Sequence, residues 1–157
     1  MPVTADIINA ITHHHTELQD ALTTRVDAVV STARTGGSCD EPVADLRGLL
    51  THDIVPHARA EEDVLYAAAT ADTLRPLVAG MIFEHETILG LTDRLTAVTT
   101  AVDAAATAYA IEAVFVGHVR RENDLLLPAL AADPDVDLPA LLPVMEQRLA
   151  TYQAAAT

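Results

Sequence analysis

The chain has 157 residues and a mass of 16.7 kDa; half its residues are apolar, only 3% are aromatic and Trp is absent, so a single domain with an Ala, Leu, Val and Ile core is expected. Its 23 acidic residues outnumber 9 basic ones, all of them Arg, and the resulting net charge of −14 argues against nucleic acid and anionic membrane as partners. The lone Cys39 excludes an intrachain disulfide and any cysteine-rich zinc or iron–sulfur centre.

Apolar residues recur at helical spacing nearly throughout, and no Val/Ile/Thr-rich run alternates as a strand would, so the class is all-α. A first helix ends near Thr35, before Gly36-Gly37-Ser38. Ser38 with Glu41 offers a capping box for the second helix, with Pro42 in its first turn. Asp72 is a candidate N-cap for the third, with Pro76 in its first turn; a further break falls around Thr99 to Ala104. Asp133-Pro134-Asp135 ends the fourth, after which Asp137 and Pro139 open a shorter C-terminal helix, about 137–155. Long amphipathic helices with short links pack as antiparallel neighbours, so residues about 5–132 are expected to form an up-down-up-down four-helix bundle, within one domain spanning 1–157. Residues 1–6 carry no basic segment, and charged residues or His interrupt each apolar stretch before the ~18 residues of a membrane span, so a soluble cytoplasmic protein is expected.

At about 100° per residue, the core stripe of the first helix reads Ile8, Ile11, His15, Leu18, Leu22. The second reads Leu46, Leu50, Ile54, His57, Glu61, Leu65, Ala68; the third Val78, Ile82, His85 and then Ile88 or Leu89; the fourth Ile111, Phe115, His118, Glu122, Leu125, Ala129. His13 falls on a solvent face and His14 at the margin. Each long helix therefore buries a histidine in mid-stripe, and the second and fourth bury a Glu four residues later, one turn along the same face. A single His on an apolar face is usually an ordinary core residue, and an ionised Glu in such a core costs several kcal/mol unless compensated. Four such histidines with two such carboxylates call for a bound cation. Imidazole and carboxylate donors suit iron, manganese or zinc, and facing helices that present Glu and His are how carboxylate-bridged dinuclear sites are built.

His15, His57-Ala58-Arg59-Ala60-Glu61, His85 and His118-Val119-Arg120-Arg121-Glu122, in this order, resemble the hemerythrin-like HHE cation-binding family. The flanks agree: Glu61-Glu62-Asp63-Val64-Leu65-Tyr66 and Glu122-Asn123-Asp124-Leu125-Leu126-Leu127-Pro128 look like the family's segments after each HxxxE. The resemblance implies two non-haem iron ions, carboxylate-bridged with or without an oxo bridge, held by His15, His57, Glu61, His85, His118 and Glu122. It further implies chemistry with a small ligand, O2, NO or H2O2. Oxygen-carrying members have a second His one turn after the third-helix ligand, where this chain has Leu89, and a final Asp five residues after its His, where this chain has Glu122 at four. That departure points away from reversible oxygen transport and toward redox chemistry at a more open iron, including catalase-like turnover of peroxide. The rival readings are a non-catalytic iron or oxygen sensor or storage module acting through a partner, a mononuclear zinc site, and a metal-free helical domain.

Around the six residues, Asp53 lies one turn before His57 and is a candidate acceptor for its second ring N–H, a solvated Asp being the alternative. His14 is the other candidate for an outer contact. Pro56 is expected to interrupt the second helix and free the His52 carbonyl, with a kink or simple tolerance as the result. Tyr66 and Tyr109 could donate to an oxygen ligand, but Tyr66 is about 140° off the line of Glu61 on a regular helix and receives no role. Glu62 and Glu86 read as solvated, and the apolar face from Leu138 to Tyr152 either caps the bundle or forms a homodimer surface.

Overall fold

The computed structural model describes residues 4–156, and among them it contains helices and no strand. Helix α1 is Thr4–Arg34, α2 spans 40–68, α3 is Arg75–Arg94, α4 is Ala101–Ala132 and α5 is Leu138–Ala155. α1 lies along α4 and α2, α3 lies along α4, and α5 packs across α2 and α1. By length and composition α4 could cross a membrane, contrary to the expectation that every apolar stretch is too short; here its apolar face packs into the helical core.

The helix ends follow local chemistry, with two departures from expectation. α1 stops at Gly36, which takes φ +72°, while Gly37 N–H donates back to Thr32 O at 3.1 Å. Thr100 caps α4 by accepting from Asp103 N–H at 3.1 Å, and Asp137 caps α5 by accepting from Ala140 N–H at 3.3 Å. The expected Ser38–Glu41 box does not form: the residue before α2 is Cys39, and Ser38, one position further out, accepts from Asp40 N–H at 3.3 Å. Nor does Asp72 cap α3. Leu74 occupies that position because a turn closes from Ala71, and Asp72 pairs at the surface with Arg75 at 3.0 Å, with Pro76 in the first turn as expected.

Three wide turns interrupt the α-helical register: Leu50–Ile54 and Glu62–Tyr66 in α2, and Glu122–Leu126 in α4. Their bonds close over five residues rather than four, as Val55 N–H to Leu50 O and Leu127 N–H to Glu122 O show. Two of them lie just ahead of Pro56 and Pro128, whose rings lack an N–H and crowd the carbonyl four residues back, so the turn before each proline widens. The expected interruption at Pro56 is thus a π turn.

The wide turns at Glu62–Tyr66 and Glu122–Leu126 each move the buried stripe on by one residue, whereas after Leu50–Ile54 His57 and Glu61 are buried where even spacing places them. Leu126 and Leu130 are fully buried where even spacing points to Leu125 and Ala129, and Leu125 is 53% exposed. Just past the end of α2, Ala69 is buried in place of Ala68. In α3 the stripe is Met81, His85, Ile88 and Thr92, with Leu89 40% exposed.

The core is two apolar clusters. One gathers Leu18, Leu22, Leu46, Leu50, Ile54, Ile88, Ile111 and Phe115; the other gathers Ile11, Leu65, Met81, Leu126, Leu130, Leu138 and Met145. On every long helix the buried His and Glu residues fall between the two: His15 between Ile11 and Leu18, His57 and Glu61 between Ile54 and Leu65, His85 between Met81 and Ile88, His118 and Glu122 between Phe115 and Leu126. α5 caps the second cluster with Leu138 and Met145, so its apolar face is used within the chain.

Candidate metal centre

The polar layer brings together all six residues singled out in the sequence, each no more than 8% exposed. The four Nε2 atoms point inward. His57 Nε2 lies 2.6 Å and His15 Nε2 3.1 Å from Glu61 Oε1, while His85 Nε2 lies 3.6 Å and His118 Nε2 4.0 Å from Glu61 Oε2. Glu122 Oε2 stands 3.6 Å from His15 Nε2 and 3.7 Å from His118 Nε2. His15, His57 and Glu61 form one set whose ligand atoms all lie within 4.8 Å of one another, and Glu61, His85 and His118 form a second. Glu61 is common to both.

The donors fit a cation. Both Glu122 oxygens, Glu61 Oε2 and His57 Nδ1 are buried without a hydrogen-bond partner among the described residues, and His57 Nε2 meets Glu61 only as a close ion-pair contact outside hydrogen-bond geometry; a buried polar group tolerates this only at a cost of several kcal/mol or with an ion present. Burial, with the charge of Glu61 added, pushes the Glu122 carboxyl well above the ordinary range. Burial would also raise Glu61, but the His57, His15 and His85 imidazoles around it hold its carboxyl well below that range. Burial, only partly opposed by Glu61, lowers His118 to about 4, so its nitrogen is available as a neutral ligand. His85 and His118 face each other Nε2 to Nε2 at 3.0 Å, a contact of two lone pairs that a proton or a metal ion must relieve.

Three of the four outer ring nitrogens are held by side chains that sequence reasoning left unassigned. His15 Nδ1–H donates to Asn123 Oδ1 at 2.7 Å, His85 Nδ1–H to Glu62 Oε1 at 2.7 Å, and His118 Nδ1–H to Glu84 Oε2 at 3.1 Å. Arg121 pairs with the other oxygen of Glu84. Such contacts fix the tautomer and aim Nε2 inward. Glu62 is therefore not merely solvated, while Glu86 is exposed as expected. A signal did exist: Glu62 follows Glu61, Asn123 follows Glu122 and Glu84 precedes His85, so each partner is the sequence neighbour of an inward residue and reaches a histidine on a different helix.

The outer contacts proposed from sequence turn out differently. Asp53 accepts from Gln153 Nε2 on α5 at 3.3 Å and leaves His57 Nδ1 unpaired. His14 is only half-buried but sets its ring edge-on against His57, centroids 4.9 Å apart. Tyr109 is at the surface, 44% exposed. Tyr66, to which even helical spacing assigns no role, is buried; its ring stacks on His85 at 5.5 Å, and its hydroxyl lies 3.5 Å from His85 Nε2 and 3.4 Å from His118 Nε2. The π turn after Glu61 closes over five residues, and so returns Tyr66 to the face of Glu61. Burial, then the charges of Glu61, Glu122 and Glu62, raise the Tyr66 pKa strongly, so the phenol keeps its proton.

A cavity of about 140 Å³ reaches the six residues and extends to Leu89 on α3 and Arg59 on α2, both exposed. The family model of the hemerythrin HHE cation-binding domain matches residues 6–130, which include all six inward residues. The chain belongs to that family. No curated protein and no solved structure matched it. The HHE domain thus accounts for α1 through most of α4, and α5 lies outside the match.

Proposed function

We propose that this hemerythrin-family chain binds two iron ions and that the loaded protein binds or reduces a small oxidant, O2, NO or H2O2. Glu61 carries the reading, because it is shared by the His15–His57 set and the His85–His118 set, as a carboxylate bridging two ions must be. Glu122, between His15 and His118, would supply the second shared carboxylate. The two apolar clusters alternate along successive long helices, which supports an up-down-up-down bundle around this layer. The nitrogen and oxygen donor set suits iron, and bound iron supplies a redox couple and an open position for a small ligand.

The chain's own residues do the rest. Asn123, Glu62 and Glu84 orient three imidazoles, and the apolar clusters on either side exclude bulk water. Tyr66 keeps its proton at the hydroxyl between His85 and His118, where it can donate a hydrogen bond to an oxygen-bearing ligand. Leu89 offers no nitrogen where the resemblance to oxygen-carrying members would place a histidine, and a bound ion would have one protein ligand fewer there. The free Cys39 accords with a reducing compartment such as the cytoplasm.

The test is elemental analysis of protein from iron-supplemented cells, purified without a metal-affinity tag. About two irons per chain are expected, and Glu61→Ala is expected to lose the second. A single zinc, or full occupancy in Glu61→Ala, would overturn the reading.

A further inference from the structure

The two halves of the polar layer have like donors but unlike surroundings. On the inside each offers two imidazole Nε2 atoms and one oxygen of Glu61, and Glu122 Oε2 stands almost evenly between them, 3.6 Å from His15 and 3.7 Å from His118. On the outside they part. His85 Nδ1–H donates to the Glu62 carboxylate at 2.7 Å and His118 Nδ1–H to that of Glu84 at 3.1 Å, whereas His15 donates to the neutral amide oxygen of Asn123 and His57 Nδ1 meets no acceptor among the described residues. Asp53, the acidic side chain one turn before His57, is turned to Gln153 instead. Arg121 pins Glu84 by its other oxygen, but its side chain is 46% exposed against 16% for Glu84, so solvent screens the cation and it offsets only part of that buried charge.

We infer that the two ions of the proposed centre are held unequally: the half formed by His85 and His118 fills first and firmly, and the half formed by His15 and His57 is the exchangeable one, filled only when metal is plentiful. The inference rests on the two-ion reading and adds an order to it. An imidazole whose outer N–H is bonded to a carboxylate is a more basic ligand at its inner nitrogen than one bonded to an amide, and an anion one ring away attracts a dication directly. Both effects favour the same half. A third works with them, because no hydrogen bond selects the tautomer of His57, whose ring meets only the rings of His14 and His15 edge-on, centroids 4.9 and 5.2 Å away. A half-loaded chain therefore carries its ion between α3 and α4, and the free metal level sets whether the second half is occupied.

The probe is ferrous ion, titrated anaerobically into metal-free protein against a chromophoric chelator, with the helix content of every variant checked by circular dichroism. Two steps are expected, with dissociation constants at least about tenfold apart. His57→Ala should lose the weaker step and keep the stronger, and His118→Ala should lose the stronger. Asn123→Asp, which gives His15 a carboxylate acceptor, should tighten the weaker step, and Glu84→Gln should loosen the stronger one. These two substitutions are isosteric, so they decide the matter where an alanine variant fails to fold, and damage to the fold would not produce a gain in one and a loss in the other. Two steps of equal affinity, an unmoved weaker step in Asn123→Asp, or loss of the stronger step in folded His57→Ala overturns the inference and leaves the two-ion reading standing. A single ion that survives His57→Ala but not His118→Ala supports the order of the halves and sinks the two-ion reading. A single ion with the opposite pattern, or no binding at all, overturns both.

Discussion

Truncating Leu126 and Leu125 separately tests whether the π turn at Glu122–Leu126 sets the register of the last third of α4. Leu126 is 0% exposed and packs in the second apolar cluster, while Leu125 is 53% exposed. Leu126→Ala removes three buried carbon groups, about 2.4 kcal/mol of transfer free energy at ~0.8 kcal/mol each, and the unfilled space brings the loss to roughly 3–5 kcal/mol. For a chain of this length that lowers Tm by about 6–20 °C. Leu125→Ala removes a half-solvated side chain and should cost under about 1 kcal/mol. Urea unfolding of both variants at equal metal content, with unchanged m, measures the difference. Equal costs, or a larger cost at Leu125, would mean that α4 continues in unbroken α register and that the wide turn is absent.

Two further predictions concern the polar layer. Glu62→Ala frees His85 Nδ1 and should weaken metal affinity about 10–100-fold with little change in the metal-free melting temperature, measured by competition with a chromophoric chelator; unchanged affinity would show that Glu62 does not orient His85. Metal-free protein should lose stability as pH rises. Glu122 is raised well above its usual 4.5, so the stability of its neutral form is fully present below that value and is lost as pH climbs through the raised one. His15 and His85, also raised, act in the same direction, whereas lowered Glu61 contributes above the carboxylate range and loses that contribution only on acidification. His118, lowered to about 4, and His14, also lowered, oppose the trend only below the ordinary histidine value of 6.5. Above that value melting curves should therefore slope downward without metal and flatten with it, and Glu122→Gln should reduce the metal-free slope; an unaltered slope in that variant would refute the protonation of Glu122.

The helix count and the six inward residues were legible in the chain because both depend on one property, the 3.6-residue period with which apolar side chains recur. His15, His57, His85 and His118 lie on stripes otherwise made of Leu, Ile and Val, and Glu61 and Glu122 stand one turn beyond two of them; buried carboxylates without compensation are costly enough that their presence signals a cation. The same period misplaced Leu126, Leu130 and Tyr66, since it presumes every turn is alike and three turns here are wider. A proline marks two of those turns, and the one that carries Tyr66 has no proline to announce it. The outer partners were hidden for another reason. Asn123, Glu62 and Glu84 are ordinary polar residues on their own helices and acquire their histidines only where a different helix is close enough to present one. Periodicity within a helix selects the face that is buried, but the approach of one helix to another decides which side chains meet there, and that approach, with the cavity it leaves at the polar layer, exists only in the tertiary structure.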